Sequence, residues 1–398
     1  MDSQNWMERA DKVVMQTYGR QPLVLVKGEG CRVWDDTGLE YLDFVAGLAV
    51  CNLGHAHPEI GKAAAAQLQQ LVHTSNLYYT TPMVELAEEL VRHSFADQVF
   101  FANSGAEVNE GAIKLCRKYA RERHGAGRHH IISMLNSFHG RTYGGLSATG
   151  QEKFWQGFEP LLPGFIFVPF NDLDALDKAT EMGACAVLLE PIQGEGGVCL
   201  PGPGFLTGVR QICDRKGLLL VMDEVQTGLG RTGRLFAHEN YGVQPDVMTL
   251  AKALANGLPM GALLATAEVA QAFVPGTHAS TFGGGPVIAA AAKTAFGLLR
   301  NPEFLAEVRA KGDYLEEKGR ELQQRFPVIK EVRGLGLIWG LELTQEGAPV
   351  VNACRERGLL INCTQGNILR FLPPLIVTKE QLDKGLEILA AALEAVFP

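Results

Sequence analysis

No C-x-x-C pair occurs among the eight cysteines of this 398-residue chain, which removes the common zinc and disulfide frameworks. Cys31, Cys51, Cys116, Cys185, Cys199, Cys213, Cys354 and Cys363 are scattered, several in apolar runs. They read as small hydrophobes in a reducing compartment. There is no surplus of positive charge. A net charge of −8 and a pI near 5.7 argue against nucleic acid or an anionic membrane as the main partner. The polar start, Met1-Asp2-Ser3-Gln4-Asn5-Trp6, lacks the pattern of a secretory signal. The longest uncharged stretch, near 273–292, is broken by Gly, Pro, Ser, Thr and His and is no membrane span. No internal repeat or low-complexity tract stands out. By elimination the chain reads as cytoplasmic.

What is present is an ordinary globular composition, 46% apolar and 20% charged, with length enough for two cores. Short strands are expected at 23–26, 32–34 and 40–44. From about 100 to 267, apolar runs alternate with helical patterns, the runs beginning near Gln98, His130, Phe165, Ala186, Leu218 and Asp246. That alternation predicts an α/β domain with a mostly parallel sheet covered on both faces. After about 290, amphipathic stretches at 287–300, 303–325, 348–358 and 379–396 surround a few strands. They predict a smaller α+β domain, completed by the N-terminal segment.

The most informative pair is Asp223, ending the run 218–222, and Lys252, just past the next run. An acid and a lysine brought to one sheet edge suit a cofactor needing a Schiff-base amine and an anionic partner for a pyridinium nitrogen, which describes pyridoxal phosphate (PLP). Alone, each reads as a strand-end acid and a solvated lysine.

Other segments carry chemistry of their own. Ser104 and Glu107 have capping-box spacing at the start of a helix, with Gly105 permitting close approach of a ligand to the backbone. Such a helix start suits a phosphate, or is a plain cap. Phe138-His139-Gly140-Arg141-Thr142 offers a ring for stacking and a guanidinium for a carboxylate. Glu190-Pro191-Ile192-Gln193-Gly194-Glu195 places two carboxylates at another strand end, without a nearby histidine to suggest a metal. Gly228-Leu229-Gly230-Arg231-Thr232-Gly233 matches G-x-G-x-x-G, but the residues after it have no sustained helical period, so a dinucleotide site is not expected. Ser280-Thr281-Phe282-Gly283-Gly284-Gly285 is a flexible loop or a phosphate holder. Arg370 beside Pro373-Pro374 reads as structural when taken alone.

Taken in order, these segments resemble the class III (subgroup II) PLP-dependent aminotransferases over nearly the whole chain, and most closely their acetylornithine branch. The resemblance implies fold type I: a large domain with a mostly parallel seven-stranded sheet (46–290), a smaller α+β domain (291–398) and an N-terminal segment (1–45) packed with the latter. It implies Lys252 as the Schiff-base lysine and proton shuttle, with Asp223 holding the pyridinium protonated. Gln226 would meet the phenolic oxygen and Phe138 would stack on the ring. Ser104, Gly105, Ala106, Glu224 and Val225 would complete the cofactor site, and Thr281, with Ser280, would enter the partner subunit's site in a homodimer.

The same resemblance gives Arg141 the carboxylate remote from the reacting amine and Arg370 the α-carboxylate of glutamate. Glu195 would pair with Arg370 when the ω-amino donor is bound. The expected reaction is ping-pong transfer of the δ-amino group of N2-acetylornithine to 2-oxoglutarate. Another ω-aminotransferase or a glutamate-semialdehyde aminomutase is the alternative. His73-Thr74-Ser75-Asn76-Leu77-Tyr78-Tyr79 resembles the substrate-gating stretch of the acetylornithine branch. Two stretches depart from the family pattern: 252–259 lacks a glycine-rich run, and Gly285 precedes Pro286 where asparagine is usual.

Overall fold

The computed structural model describes residues 3–398. At its centre is a seven-stranded sheet in the order Gln98–Ala102, Gly261–Ala265, Val247–Leu250, Leu219–Asp223, Ala184–Leu189, His130–Met134, Phe165–Val168. Six strands run one way and Gly261–Ala265 runs against both of its neighbours. The central strands are buried along their whole length, as in Ala184–Leu189 and Leu219–Asp223. Continuous apolar runs are what a sheet covered on both faces requires. Gly261–Ala265 is absent from the expected strands, because Gly-Ala-Leu-Leu-Ala has no β-branched residue to mark it.

The helix Gly105–His124 leads directly from the first strand. Its N-cap Ser104 accepts a hydrogen bond from the Glu107 N–H at 3.2 Å. The Glu107 carboxylate reaches back one residue beyond the cap, to the Asn103 N–H. Glu107 in the first turn and Arg121, Arg123 and His124 in the last complement the helix dipole.

Beyond the central sheet, Ile329–Leu335, Ile338–Leu343, Ile368–Phe371 and Asn362–Thr364 form an antiparallel sheet. It is accompanied by the helices Pro302–Arg325, Ala348–Glu356 and Lys379–Val396. The N-terminal strands Leu25–Glu29, Arg32–Asp35 and Glu40–Asp43 make a separate sheet, joined in parallel by Leu359–Leu360 from the C-terminal part. The residue-290 boundary falls inside one continuous helix, Pro286–Leu299, which packs on Pro58–Leu68 and Thr81–Arg92. One apolar cluster runs from Cys31 through Phe296 to Leu393. Among the described residues, no helix is long and apolar enough to cross a membrane.

The glycine triplet at 228–233 is followed by a short 3₁₀ segment, Ala237–Tyr241, and opens no α-helix. Its Arg231 is fully buried. It donates to the Leu337 and Pro373 carbonyls at 2.8 and 2.6 Å and to Asn52 Oδ1. Burial without a carboxylate pushes its guanidinium down to about 9. The triplet therefore pins three parts of the chain together and leaves no helix start for a dinucleotide phosphate.

Candidate active site

The C-terminal ends of the parallel strands open on a cavity of about 440 Å³, the place where sheets of this kind bind ligands. Asn103–Ala106, Phe138–Arg141, Glu190, Asp223 and Lys252 each follow or end one of these strands, and all line it. Glu195, Val225, Gln226 and Gly257–Met260 complete its wall.

Asp223 is buried and held by three donors. Its Oδ2 accepts from Asn109 Nδ2 at 2.7 Å and from His139 Nδ1 at 2.8 Å, and Oδ1 accepts from the Val225 N–H at 3.0 Å. Asn109 is itself fixed: its Nδ2 also donates to the His139 carbonyl at 2.8 Å, and its Oδ1 accepts from Thr249 Oγ1 at 2.8 Å. His139 Nε2 is a buried nitrogen without a protein partner. A carboxylate so positioned keeps one orientation and offers a fixed negative charge to the cavity.

Lys252 begins a 3₁₀ turn at φ +45°, a left-handed conformation rare for a residue with a side chain. Such strain is typical of functional positions. Burial pushes its ammonium down to about 8, with Glu195 opposing, so a neutral amine is accessible near physiological pH.

Behind the cavity wall, Arg370, 1% exposed, donates from Nη1 to Glu195 Oε1 at 2.7 Å and to Gln226 Oε1 at 3.3 Å. Its Nε donates to Asn362 Oδ1 at 3.3 Å. Burial works to raise the Glu195 carboxyl, but the charge and hydrogen bond of Arg370 prevail and hold it below the ordinary value. Gln226 is thereby engaged with this pair, its Nε2 also reaching Glu195 Oε1 at 3.5 Å.

Glu190 is buried and ties two loops, accepting from the Phe138 N–H at 2.9 Å and the Gly194 N–H at 3.0 Å. Burial raises its carboxyl to about 7. Arg141 is exposed at the mouth, its guanidinium 3.8 Å from the Phe154 ring centroid and 5.5 Å from that of Phe138.

The helix start is tightly fitted. A Cβ on Gly105 would lie 2.8 Å from Val225 Cγ1, and one on Gly140 would lie 2.9 Å from Ala106 Cβ. The Gly105 and Ala106 N–H groups precede the helix's first capped donor, that of Glu107.

Three of the expected residues stand elsewhere. Glu224 faces away from the cavity: its carboxylate accepts from His238 Nδ1 at 2.7 Å, the His238 N–H at 2.8 Å and the Ala237 N–H. Asp223 and Val225 line the cavity, whereas Glu224, just past the strand end between them, turns its side chain to the other side. Within one chain, Ser280 and Thr281 lie outside the cavity. Ser280 Oγ accepts from the Gly283 N–H at 3.0 Å and from Asn103 Nδ2 at 3.5 Å, while Thr281 lines a small cleft with His73–Asn76. Asn109, His139 and Thr249 had no assigned role in the sequence. The hydroxyl of Thr249 inside an apolar strand was the signal available, since a buried polar group needs a partner.

A sheet-edge cavity with a lysine, a clamped aspartate and a helix start defines a group-transfer enzyme of the α/β class. The aminotransferase class-III family model matches residues 14–393, so the chain belongs to that family. It is 52% identical to the acetylornithine aminotransferase of Caldanaerobacter subterraneus subsp. tengcongensis, covering 97% of this chain and 98% of that one. It is 48% identical to that of Methanocaldococcus jannaschii, covering 100% and 99%. Among solved structures, the ornithine aminotransferase of Toxoplasma gondii superimposes with a TM-score of 0.96 at 34% identity, covering 100% of this chain and 96% of that one. The N-acetylornithine aminotransferase of Stenotrophomonas maltophilia gives 0.84 at 40%, covering 98% and 99%.

Proposed function

We propose that this enzyme is a PLP-dependent acetylornithine aminotransferase that moves the δ-amino group of N2-acetylornithine to 2-oxoglutarate. The observation that carries the reading is one cavity lined by Lys252, Asp223 and Glu195, with Arg370 behind its wall donating to Glu195 at 2.7 Å. The residues fit the cofactor. Asp223 offers a clamped carboxylate for a pyridinium, and Phe138 offers a ring face. Gly105 and Ala106 offer backbone donors at a helix N-terminus for a phosphate. Lys252 offers an amine made nucleophilic by burial. When bound, PLP supplies an electron sink for the carbon that bears the amine.

Lys252 Nζ would then be the base that takes the proton from that carbon and holds it. Arg141 holds the carboxylate remote from the reacting amine. Arg370 binds the α-carboxylate of glutamate or 2-oxoglutarate, and Glu195 neutralises it while the amino donor is bound, because a buried arginine without a partner is costly. Gln226 is released from this pair to meet the phenolic oxygen.

The site is completed in a homodimer, with Thr281 and Ser280 serving the partner's phosphate. The exposed side chains Leu77, Tyr78, Tyr79 and Phe282 beside this loop support that contact. Eight free cysteines support a cytoplasmic location.

The likeness to ornithine aminotransferases makes ornithine the amine to compare. Purified enzyme is mixed, without an acceptor, with N2-acetylornithine, ornithine or 4-aminobutyrate, and the cofactor absorbance is followed. Fastest loss with acetylornithine and recovery with 2-oxoglutarate are expected. Faster loss with ornithine moves the substrate assignment, and no response to any amine overturns the reading.

A further inference from the structure

The loop that carries Glu195 is tied at its base by its own chain and at its tip by a distant part of the fold. At the base, Gln193 and Cys199 exchange two backbone hydrogen bonds at 3.0 Å, and the Gly194 N–H donates to Glu190. The tip is held from the C-terminal part of the chain. The Glu195 carbonyl accepts from Gln365 Nε2 at 2.7 Å and from Thr364 Oγ1 at 3.2 Å. The Gly197 carbonyl accepts from Arg333 Nη2 at 2.8 Å, and the Val198 carbonyl from Arg333 Nε at 3.1 Å. Arg333 is itself braced from Nη1 by Glu331 and Glu342, each at 2.7 Å.

Both sides of this tie are strained. Val198 stands at φ +54° and Gln365 at φ +52°, left-handed conformations unfavourable for residues with side chains and most of all for a β-branched one. Strain of this kind persists where surrounding contacts over-determine it, as at clamps. Thr364 ends the strand Asn362–Thr364, and Gln365 turns the chain toward Ile368–Phe371, the strand that bears Arg370. Asn362, opposite Arg370 in that hairpin, accepts from its Nε. Arg370 and Glu195 are therefore joined twice, through their side chains and through the turn of Arg370's own hairpin. Gln365 Nε2 also donates to Gln151 Oε1 at 3.3 Å, and Gln151 Nε2 to the Ser137 carbonyl at 3.0 Å, beside Phe138.

We propose, resting on the roles assigned above to Arg370 and Glu195, that Gln365 with Thr364 is a positioning latch for the exchange of carboxylates at Arg370. The Glu195 side chain must leave the guanidinium when a substrate carboxylate arrives and return when it departs. With its carbonyl latched to the hairpin, it swings about a fixed main chain and keeps a high effective concentration at Arg370. The latch thereby sets how strongly Glu195 competes with the α-carboxylate of glutamate, and so the balance between the two substrates. Loosening it weakens the competitor and favours glutamate.

The test is single-turnover kcat/KM for each half-reaction of the cofactor-loaded enzyme. One hydrogen bond at an exposed residue corresponds to about threefold. Gln365→Ala should therefore raise the ratio of glutamate to acetylornithine kcat/KM about threefold, and Gln365→Ala with Thr364→Val about tenfold. Gln365 is exposed and Thr364→Val keeps the buried shape, so the fold should be retained, checked by the cofactor absorbance. In a Glu195→Gln background, Gln365→Ala should leave the ratio unchanged, since no charged competitor remains to be positioned. A merely structural role would lower both half-reactions together and would persist in that background. A ratio unchanged in the Gln365→Ala/Thr364→Val variant, or moved equally with and without Glu195, overturns the latch. No shift in Glu195→Gln itself overturns the pairing of Glu195 with Arg370, and the latch falls with it.

Discussion

Glu195→Gln separates the two half-reactions, and its size follows from the structure. The change keeps the shape but removes the negative charge beside Arg370, which is 1% exposed. Breaking a buried ion pair from one side costs about 3–5 kcal/mol. Here the loss is smaller, because Gln226 Oε1 and Asn362 Oδ1 still accept from the guanidinium and Glu195 is 29% exposed. A value of about 2 kcal/mol is reasonable, or about 30-fold in an equilibrium constant. That penalty falls on every state in which Arg370 lacks a carboxylate, including the complex with the amino donor. It is relieved when glutamate or 2-oxoglutarate supplies one.

Single-turnover measurements should therefore show the glutamate half-reaction improved in kcat/KM, by about tenfold or more, with the acetylornithine half-reaction little changed, because the free enzyme and the donor complex carry the same penalty. Stability carries the same signature. Because the Glu195 carboxyl is held below its ordinary value in the folded state, its contribution is present above the unfolded pKa and is lost as pH falls through the folded one. The Tm difference between wild type and Glu195→Gln should be clear at pH 7 and shrink in acid. Equal losses in both half-reactions would refute the pairing argument.

Other outcomes test the rest of the site. Lys252→Ala should abolish turnover and the borohydride-stable attachment of cofactor to the chain, checked by intact mass. Asn109→Ala and His139→Gln should each weaken cofactor retention, and the double variant should fall short of their sum by about 1 kcal/mol, because both donate to the same Asp223 oxygen. Gly105→Ala should lower Tm and cofactor affinity together, at about 1–3 kcal/mol, since the new methyl meets Val225 at 2.8 Å. Glu190, raised by burial to about 7, contributes stability that is full below the ordinary carboxyl pKa and lost as pH rises through 7. Thermal melts of Glu190→Gln should show a flatter dependence between about pH 5 and 8 than wild type.

The boundary between what was legible in the sequence and what was not follows the range of the interactions. Strand-end motifs were readable because a parallel strand announces itself by an apolar run, and chain direction alone brings the ends of such strands to one edge. Ser104 was readable because a cap acts three residues away. The clamp on Asp223 was not, for its donors stand 114 and 84 residues distant, and nothing local marks Asn109 or His139 as its partners. Glu224, which the resemblance put with the cofactor site, has its side chain turned to His238 and Ala237, a direction set by the local backbone that no motif announces. The strand Gly261–Ala265 was hidden by its composition, and Arg231 by a motif that pointed elsewhere.

Charge accounting then does what motif reading cannot. Within the cavity and its rim, Asp223, Glu190, Glu195 and Arg370 all have their hydrogen-bonding needs met by the protein. His139 Nε2, buried, does not. An amine with its pKa lowered by burial and a carboxylate fixed by Asn109 and His139 are what this cavity offers to the proposed cofactor.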